Sequence, residues 1–218
     1  VRISATATLV ERNRSGHEDS SGGPGLPAGG AWPRARTATA GSKRCGFVAG
    51  IAGNRLMCGI VGVLDPRRRR RSEDTVRLLD VMAEPMRSRG PDGSGTWVDE
   101  QAGIGLGHRR LSILDLSEHG AQPMVSADGR WVITYNGEIY NHRELAADLQ
   151  GVGVRLRGHS DTEVLIEAIA RWGLESTLDR IDGMYAFGLW DREDRKLTLA
   201  SDRMGEKPLY YGTIGTGE

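Results

Sequence analysis

The distribution of apolar residues changes near residue 57 and limits where a folded core can form. Before that point the chain is rich in Gly, Ala, Ser and Arg and shows no helical or strand periodicity. Such a segment offers too little apolar surface to offset the entropy lost on ordering. We therefore expect one folded domain in 57–218 and, in 1–56, either a disordered extension or a start codon placed too far upstream.

The charge distribution follows the same division. The first 56 residues hold eight Lys or Arg and three Asp or Glu, whereas the remaining residues hold 21 Lys or Arg and 26 Asp or Glu. A domain of this composition lacks the basic footprint of a nucleic-acid-binding protein. No apolar run approaches the roughly 20 residues that a membrane helix needs. We expect a cytoplasmic protein that has neither a nucleic-acid partner nor a membrane partner.

The cysteines and histidines give no sign of a metal site. Cys45 and Cys58 are too few and too poorly spaced for a metal cluster or a disulfide framework, which favours a reducing compartment. Four histidines of the folded part lack metal-ligand spacing and are interpreted as surface or hydrogen-bonded residues: His108, His119, His142 and His159. No metal ligand is therefore predicted.

The order of predicted elements favours an α+β fold in which helices cover antiparallel sheets. A buried strand is predicted at 58–65, and a helix capped by Ser72 ends near the Gly/Pro-rich loop 87–95. Further extended segments are predicted at 102–116, 130–141, 183–191 and 196–202. The last two segments are close in sequence, which predicts that they pair as a hairpin.

Two further helices carry start signals in the sequence. Asn141 and Glu144 stand at N-cap and N3 spacing, which predicts a short helix from Asn141. Ser160 and Glu163 form a capping box before an apolar helical face, and Gly173 supplies the stop signal. The segment 159–173 is therefore the clearest helix in the sequence.

The Asn136-Gly137 pair admits two interpretations. Between alternating apolar residues, Asn-Gly is the strongest short-range signal for a hairpin turn. Alternatively, the Asn136 side-chain amide and the Gly137 backbone N–H donate hydrogen bonds to an oxyanion, each worth about 3 kcal/mol of transition-state stabilisation. The residue types alone favour the turn.

Cys58 also admits two interpretations. Most unpaired cysteines are inert buried thiols. If Met57 were removed, however, Cys58 would carry a thiol and an α-amine on one residue, and an amine that titrates near pH ~8 can accept the thiol proton. The residue types leave this choice open.

Three charged residues suit the binding of an amino acid, although two of them also have a simpler interpretation. Asp161 follows an N-cap and stabilises a helix dipole there, and Glu138 can be an exposed loop carboxylate. Arg110 lies in an alternating, half-buried segment, and its guanidinium fits a carboxylate in bidentate fashion.

Eight segments occur in the following order: MCGIVGV, RSRGPDGSG, GHRRLSILDL, QPM, YNGEIYNHREL, HSDTEVL, GMYAFGLWD and DRMGEKPLYYG. Together they resemble the glutamine-hydrolysing domain of the glutamine-dependent asparagine synthetases, a class II glutamine amidotransferase of the N-terminal-nucleophile (Ntn) hydrolase superfamily. The segment CGFVAG at Cys45 imitates the first motif, but Cys58 has the better spacing to RSRGPD. The resemblance spans about residues 57–212 and implies a four-layer αββα sandwich of two antiparallel sheets.

The resemblance also implies the roles of individual residues. Cys58 is the implied nucleophile and its own α-amine the base, while Asn136 and Gly137 form the oxyanion hole. The residues implied to bind or line the glutamine site are Arg110, Glu138, Asp161, the backbone near Leu111, Ile113 and Leu114, and, less directly, Arg89.

The implied substrate is L-glutamine, and the implied glutaminase reaction needs no cofactor. ATP and Mg belong to a synthetase domain, acting in cis or in trans, whose Ser-Gly-Gly-x-Asp-Ser motif does not occur here. The chain also ends before the strands that normally complete the glutaminase domain, so we expect a fragment that hydrolyses glutamine without making asparagine. Three alternatives stay open: an inactive truncated remnant, an interaction module, or a glutaminase domain with another ammonia acceptor. A homodimer is also left open.

Overall fold

The computed structural model describes residues 5–9, 36–40, 45–49, 57–67, 70–111 and 120–213. The strands are β1 (Ala5–Leu9), β2 (Arg36–Ala40), β3 (Cys45–Ala49), β4 (Gly59–Leu64), β5 (Gly93–Asp99), β6 (Ile104–Arg110), β7 (Met124–Val125), β8 (Trp131–Ile139), β9 (Gly183–Asp191), β10 (Lys196–Ser201) and β11 (Leu209–Thr213). The helices are α1 (Ser72–Ala83), α2 (His142–Gly151), α3 (Asp161–Trp172) and α4 (Leu174–Arg180), with a short 3-10 helix at Glu84–Met86.

These strands form two sheets. One has five strands in the order β11-β3-β4-β6-β5, and the other has six in the order β2-β1-β10-β9-β8-β7. Neighbouring strands are antiparallel except β1 and β10, which pair in parallel. The α+β class and the predicted hairpin of β9 and β10 are confirmed.

The helices cover the outer faces of the sheets and complete four layers. Helix α1 packs on β4, β5 and β6, whereas α3 packs on β7 and β8 and is flanked by α2 and α4. A hydrophobic core that includes Ile60, Leu106 and Trp190 fills the space between the two sheets. The αββα architecture is therefore as expected. Within the described residues, no helix has the length and apolarity needed to cross a membrane.

The start of α3 confirms one half of the predicted capping box. Ser160 Oγ accepts a hydrogen bond from Glu163 N at 3.2 Å, and the helix ends at Gly173, whose φ is +82°. The Glu163 carboxylate, however, accepts hydrogen bonds from the backbone N–H groups of Arg157 and Gly158. The loop before the helix thus uses the carboxylate that the capping box assigns to the helix start.

The other two helix starts differ from the prediction in detail. Helix α1 begins at Ser72 itself, one residue earlier than an N-cap at Ser72 requires, and Arg71 stands at the N-cap instead. Ser72 Oγ donates to the Glu100 carboxylate at 2.6 Å. Asn141 stands at the N-cap of α2, but its side chain makes no capping bond. Instead it donates to Arg180 O at 2.8 Å and accepts from Asp182 N at 3.0 Å, which joins α2 to the segment before β9.

The interpretation of Asn136-Gly137 as a hairpin turn is wrong. Strand β8 runs through both residues, which pair with Ala186 and Tyr185 of β9. Gly137 does not have the positive φ of such a turn. A Cβ at this position would lie 2.4 Å from the Met184 carbonyl oxygen, so the close approach of β9 requires glycine here.

The expectation of disorder before residue 57 is wrong for the strands β1, β2 and β3. Residues 45–49 show this in most detail. They form β3, which lies between β4 and β11, and the Phe47 side chain is 1% exposed. The ring fills a space that exists because Gly62 and Gly188, on opposite sheets, lack side chains: added Cβ atoms would lie 2.2 and 2.4 Å from it. Composition did not predict this strand because its burial depends on glycines far away in sequence. The division at residue 57 stays a prediction.

We expect Phe47→Ala to lower the free energy of unfolding by about 3–5 kcal/mol, because it empties a space that both sheets enclose. Urea denaturation followed by circular dichroism measures the change. The matched control is Tyr210→Ala on the neighbouring strand β11, where the side chain is 51% exposed and the expected change is about 0.5 kcal/mol. Equal effects of the two substitutions would contradict a buried role for β3.

Candidate functional site

The pairing of β4 with β6 determines the surroundings of Cys58. Gly59 lies opposite Arg109, so Cys58, just before β4, meets the end of β6. Leu111 N donates a hydrogen bond to Cys58 Sγ at 3.3 Å, and the thiol donates to Leu111 O at 3.6 Å. Two backbone groups therefore hold the sulfur in place.

Cys58 lines a cavity of about 140 Å³ that is formed by residues of β6, β8, β9 and the start of α3. Most of the residues predicted for the site line this cavity: Cys58, Arg110, Leu111, Asn136, Gly137, Glu138 and Asp161. The fold thus brings together groups that are spread over about 100 positions of the sequence.

The other predicted site residues lie elsewhere. Ile113 and Leu114 are outside the described residues. Arg89 is buried beside the cavity rather than in its wall, and its backbone oxygen accepts a hydrogen bond from Met57 N at 3.1 Å. Arg89 therefore contacts the residue that precedes Cys58, and its role in the site stays a prediction.

Asp161 stands at the start of α3 and also lines the cavity. It is the first residue of α3, where a carboxylate stabilises the helix dipole. Its side chain also reaches the cavity, where Oδ2 accepts hydrogen bonds from the Tyr135 hydroxyl at 2.8 Å and from Ile139 N at 3.1 Å. Burial and the negative charge of Asp161 raise the pKa of Tyr135 well above its ordinary value, so this hydroxyl stays a donor.

Burial raises the pKa of the Cys58 thiol above its ordinary value of 9.0. The negative charge of Asp161 acts in the same direction, whereas the hydrogen bond to Leu111 and the positive charge of Arg110 oppose it. The thiol of the chain with Met57 attached is therefore protonated at neutral pH. Any nucleophilic role for Cys58 requires a base that takes this proton.

His108 is the histidine that lines the cavity among the described residues, and sequence analysis gave it no role. Burial lowers the pKa of His108 to about 3, and the positive charge of Arg110 also lowers it. Nε2 is buried and has no hydrogen-bond partner within the described part of the chain. A neutral imidazole of such low basicity is poorly suited to accept the thiol proton.

Gln122 and Lys207 were also missed as individual residues, although both lie in motifs that carry the resemblance. Gln122 Oε1 accepts from Tyr135 N at 2.6 Å and Nε2 donates to Thr162 at 3.2 Å, which ties β8 to α3. Lys207 Nζ lies 3.3 Å from Met57 Sδ. Neither residue shows a periodicity or spacing that distinguishes it from a surface residue.

Comparison with known proteins identifies relatives of the region that builds this cavity. The sequence profile of a family described as a glutamine amidotransferase domain matches residues 57–218. Glutamine-hydrolyzing asparagine synthetase 1 of Bacillus subtilis is 42% identical over 158 residues, covering 72% of this chain and 24% of that protein. Amidase chry2 of Gibberella zeae is 36% identical over 162 residues, covering 71% and 24%.

The chain spans about a quarter of the length of these curated relatives. A solved structure of glutamine phosphoribosylpyrophosphate amidotransferase from B. subtilis aligns with a TM-score of 0.40 and 18% identity, covering 78% of this chain and 36% of that one. That likeness is too weak to add to the argument.

We expect the chain with Met57 attached to react slowly with iodoacetamide at Cys58. With a thiol pKa above 9.0, less than about 1% is thiolate at pH 7. The rate should rise steeply as the pH passes 9, because the thiolate fraction rises. Peptide mass spectrometry separates Cys58 from Cys45, and a rate at pH 7 equal to that at pH 10 would contradict the protonated thiol.

Proposed function

The chain belongs to the glutamine amidotransferase domain family, and we propose that it hydrolyses L-glutamine to glutamate and ammonia with Cys58 as the nucleophile. One observation carries this proposal. The thiol of Cys58, the cation of Arg110, the carboxylate of Asp161 and the buried Asn136 all line one cavity. A nucleophile, two opposite charges and an amide donor are the groups that hydrolysis of an amino acid side-chain amide requires.

The charges of the cavity suit a free amino acid. Arg110 is proposed to bind the α-carboxylate of glutamine, and Asp161, with Glu138 near the opening, to bind the α-amine. The hydrogen bonds from Tyr135 and Ile139 hold the Asp161 carboxylate in place for this contact. Glutamine within a peptide lacks one or both charges and would leave a buried partner unpaired, which costs affinity.

The base is proposed to be the α-amine of Cys58, freed by removal of Met57. A terminal amine has a pKa near ~8, whereas the pKa of His108 is about 3. The amine takes the thiol proton, and the thiolate attacks the side-chain amide carbon of glutamine. A tetrahedral oxyanion forms when the C–S bond is made and the carbonyl π bond opens.

Asn136 and Gly137 are proposed to donate hydrogen bonds to this oxyanion. When the oxyanion collapses, the C–N bond breaks, and the amine returns its proton to the leaving group, which departs as ammonia. Water then attacks the γ-glutamyl thioester with the same amine as base, and glutamate and the free thiol result. Apart from glutamine and water, each proposed step uses groups of this chain.

The ammonia is proposed to serve the ATP-dependent amidation of aspartate in a synthetase domain, in cis or in trans, that also binds ATP and Mg. The name of the B. subtilis relative supports this proposal, since that protein is about four times longer than the matched region. We place the reaction in the cytoplasm, because both cysteines are unpaired thiols, as is usual in a reducing compartment.

Release of the Cys58 amine should create glutaminase activity. Residues 54–57 are replaced by Ile-Glu-Gly-Arg, so that factor Xa cleaves directly before Cys58 while the buried strand β3 stays available to the fold. We expect the chain to convert glutamine to glutamate and ammonia only after cleavage, because a peptide nitrogen is not basic. Coupled glutamate assays measure turnover, and mass spectrometry confirms the new N-terminus.

The matched control is Cys58→Ser in the same cleaved chain. It should bind glutamine but lose turnover, since a hydroxyl is a much weaker nucleophile beside an amine of this basicity. Activity in the uncleaved chain would refute the amine as base. A cleaved chain that binds no glutamine and turns none over would instead support the inactive remnant.

Arg110→Lys should raise the KM for glutamine about tenfold with a smaller effect on kcat, because a point charge does not replace the planar fork that binds a carboxylate. Steady-state kinetics of the cleaved chain measure both constants. Arg109→Lys, next to it and paired with Glu84 instead, is the control that should leave KM near the wild-type value. An unchanged KM for Arg110→Lys would remove it from substrate binding.

A further inference from the structure

Lys207 is a buried ammonium whose hydrogen-bonding capacity is largely unused. Its side chain lines the Cys58 cavity and the residue is 4% exposed. Within the described residues, its recorded hydrogen bond is to the thioether of Met57, at 3.3 Å, and it forms no ion pair. A thioether is a weak acceptor, so this contact compensates little of the cost of burying the charge.

The loop before β11 fixes Lys207 in this position. The Asp202 carboxylate accepts hydrogen bonds from the backbone N–H groups of Met204, Glu206 and Lys207, at 2.9 to 3.0 Å. Asp202 also accepts from Tyr185 N of β9 at 3.2 Å, which anchors the loop to the six-stranded sheet. The direction of the Lys207 side chain toward the cavity is therefore set by the fold rather than by solvent.

The contact with Met57 brings the ammonium to the residue whose peptide bond contains the Cys58 nitrogen. Met57 precedes that nitrogen directly, and Lys207 and Cys58 line the same cavity. Removal of Met57, on which the proposed function rests, takes away the thioether and leaves the new amine as the neighbouring group. We propose that Lys207 is a positioning residue for the glutaminase reaction, whose charge keeps the terminal amine of Cys58 in its neutral, proton-accepting form.

Other charged groups lie around Cys58 and Lys207 and also influence their protonation. Facing Cys58 are the carboxylate of Asp161, the guanidinium of Arg110 and the protonated hydroxyl of Tyr135. Facing Lys207 are the carboxylates of Asp202 and Glu206 and the guanidinium of Arg89. Burial and the charge of Arg89 lower the pKa of Lys207, whereas Asp202, Glu206 and Cys58 raise it.

The sign of the effect follows from like charges. An ammonium near the terminal amine opposes a second positive charge there, and it favours the thiolate of Cys58. The first proton lost from the amine and thiol together therefore leaves at lower pH when Lys207 is present. In a plot of kcat/KM against pH, the rise on the acidic side (the acidic limb) reports the loss of this proton from the free enzyme. Removal of the Lys207 charge should move the limb to higher pH.

The test uses the full chain cleaved before Cys58. Lys207→Met keeps the length of the side chain without its charge, and should move the acidic limb upward by about one pH unit. Activity should then fall about tenfold at the foot of the limb and little on the alkaline plateau. Lys207→Arg restores a positive charge and should return the limb toward the wild type. Lys196→Met, on strand β10, should leave the profile unchanged.

An acidic limb at the same pH in Lys207→Met and wild type would overturn the proposal. A uniform loss of activity at every pH would also overturn it, since that is the result of a merely structural role. Lys207→Gln provides a second neutral side chain if the methionine variant fails to fold, as judged by circular dichroism.

A measurement without turnover separates this proposal from the proposed function. The pH midpoint of Cys58 alkylation by iodoacetamide, followed by peptide mass spectrometry in the cleaved chain, should rise in Lys207→Met but not in Lys196→Met. If the midpoint is shifted in Lys207→Met but the cleaved wild-type chain has no glutaminase activity, the glutaminase function is refuted and the electrostatic effect of Lys207 on Cys58 stands. If the cleaved wild-type chain is active but Lys207→Met shifts neither the alkylation midpoint nor the acidic limb, only the role of Lys207 is refuted.

Discussion

The antiparallel register between β4 and β6 is the constraint on which the site depends. Successive residues of a strand alternate between the two faces of the sheet, so a slip of one position in the pairing would move every side chain of β4 to the other face. In the observed register Ile60 and Leu64 face the other sheet, whereas Val61 and Val63 face α1. Cys58 continues the first series, so its sulfur lies on the inner side, at the backbone of Leu111.

Glycines let the backbones of the sandwich approach closely enough to form this site. Gly62 and Gly188 leave the space that Phe47 fills between the sheets, so that the two layers share one core. Gly137 allows β8 to lie against β9 at the cavity wall, where a side chain would collide with the carbonyl of Met184. Glycine therefore makes room for a buried aromatic ring at Gly62 and Gly188, and for the backbone of a neighbouring strand at Gly137.

Burial decides which groups of the cavity carry charge. It keeps the Cys58 thiol and the Tyr135 hydroxyl protonated and lowers the pKa of His108 to about 3. Among the described residues, the charges that act on the pKa of the Cys58 thiol are those of Asp161, which raises it, and Arg110, which lowers it. Within the part of the chain that the structure describes, the cavity has no histidine of ordinary basicity that could take the thiol proton. The proposed chemistry therefore depends on the terminal amine and on the cation of Lys207, which lines the same cavity.

The sequence by itself determined the local elements, because helical periodicity, the Ser160 cap and the Gly173 stop act within a few positions. Through its ordered motifs it also indicated the family and seven of the residues that line the cavity. Only the tertiary structure decided that Asn136-Gly137 continues a strand, that Cys45–Ala49 joins the sheet, and that Lys207 reaches Met57. Each of these depends on a strand or loop far away in the chain. A local sequence pattern cannot predict these contacts, because the residues that form them come together only when the strands and sheets pack.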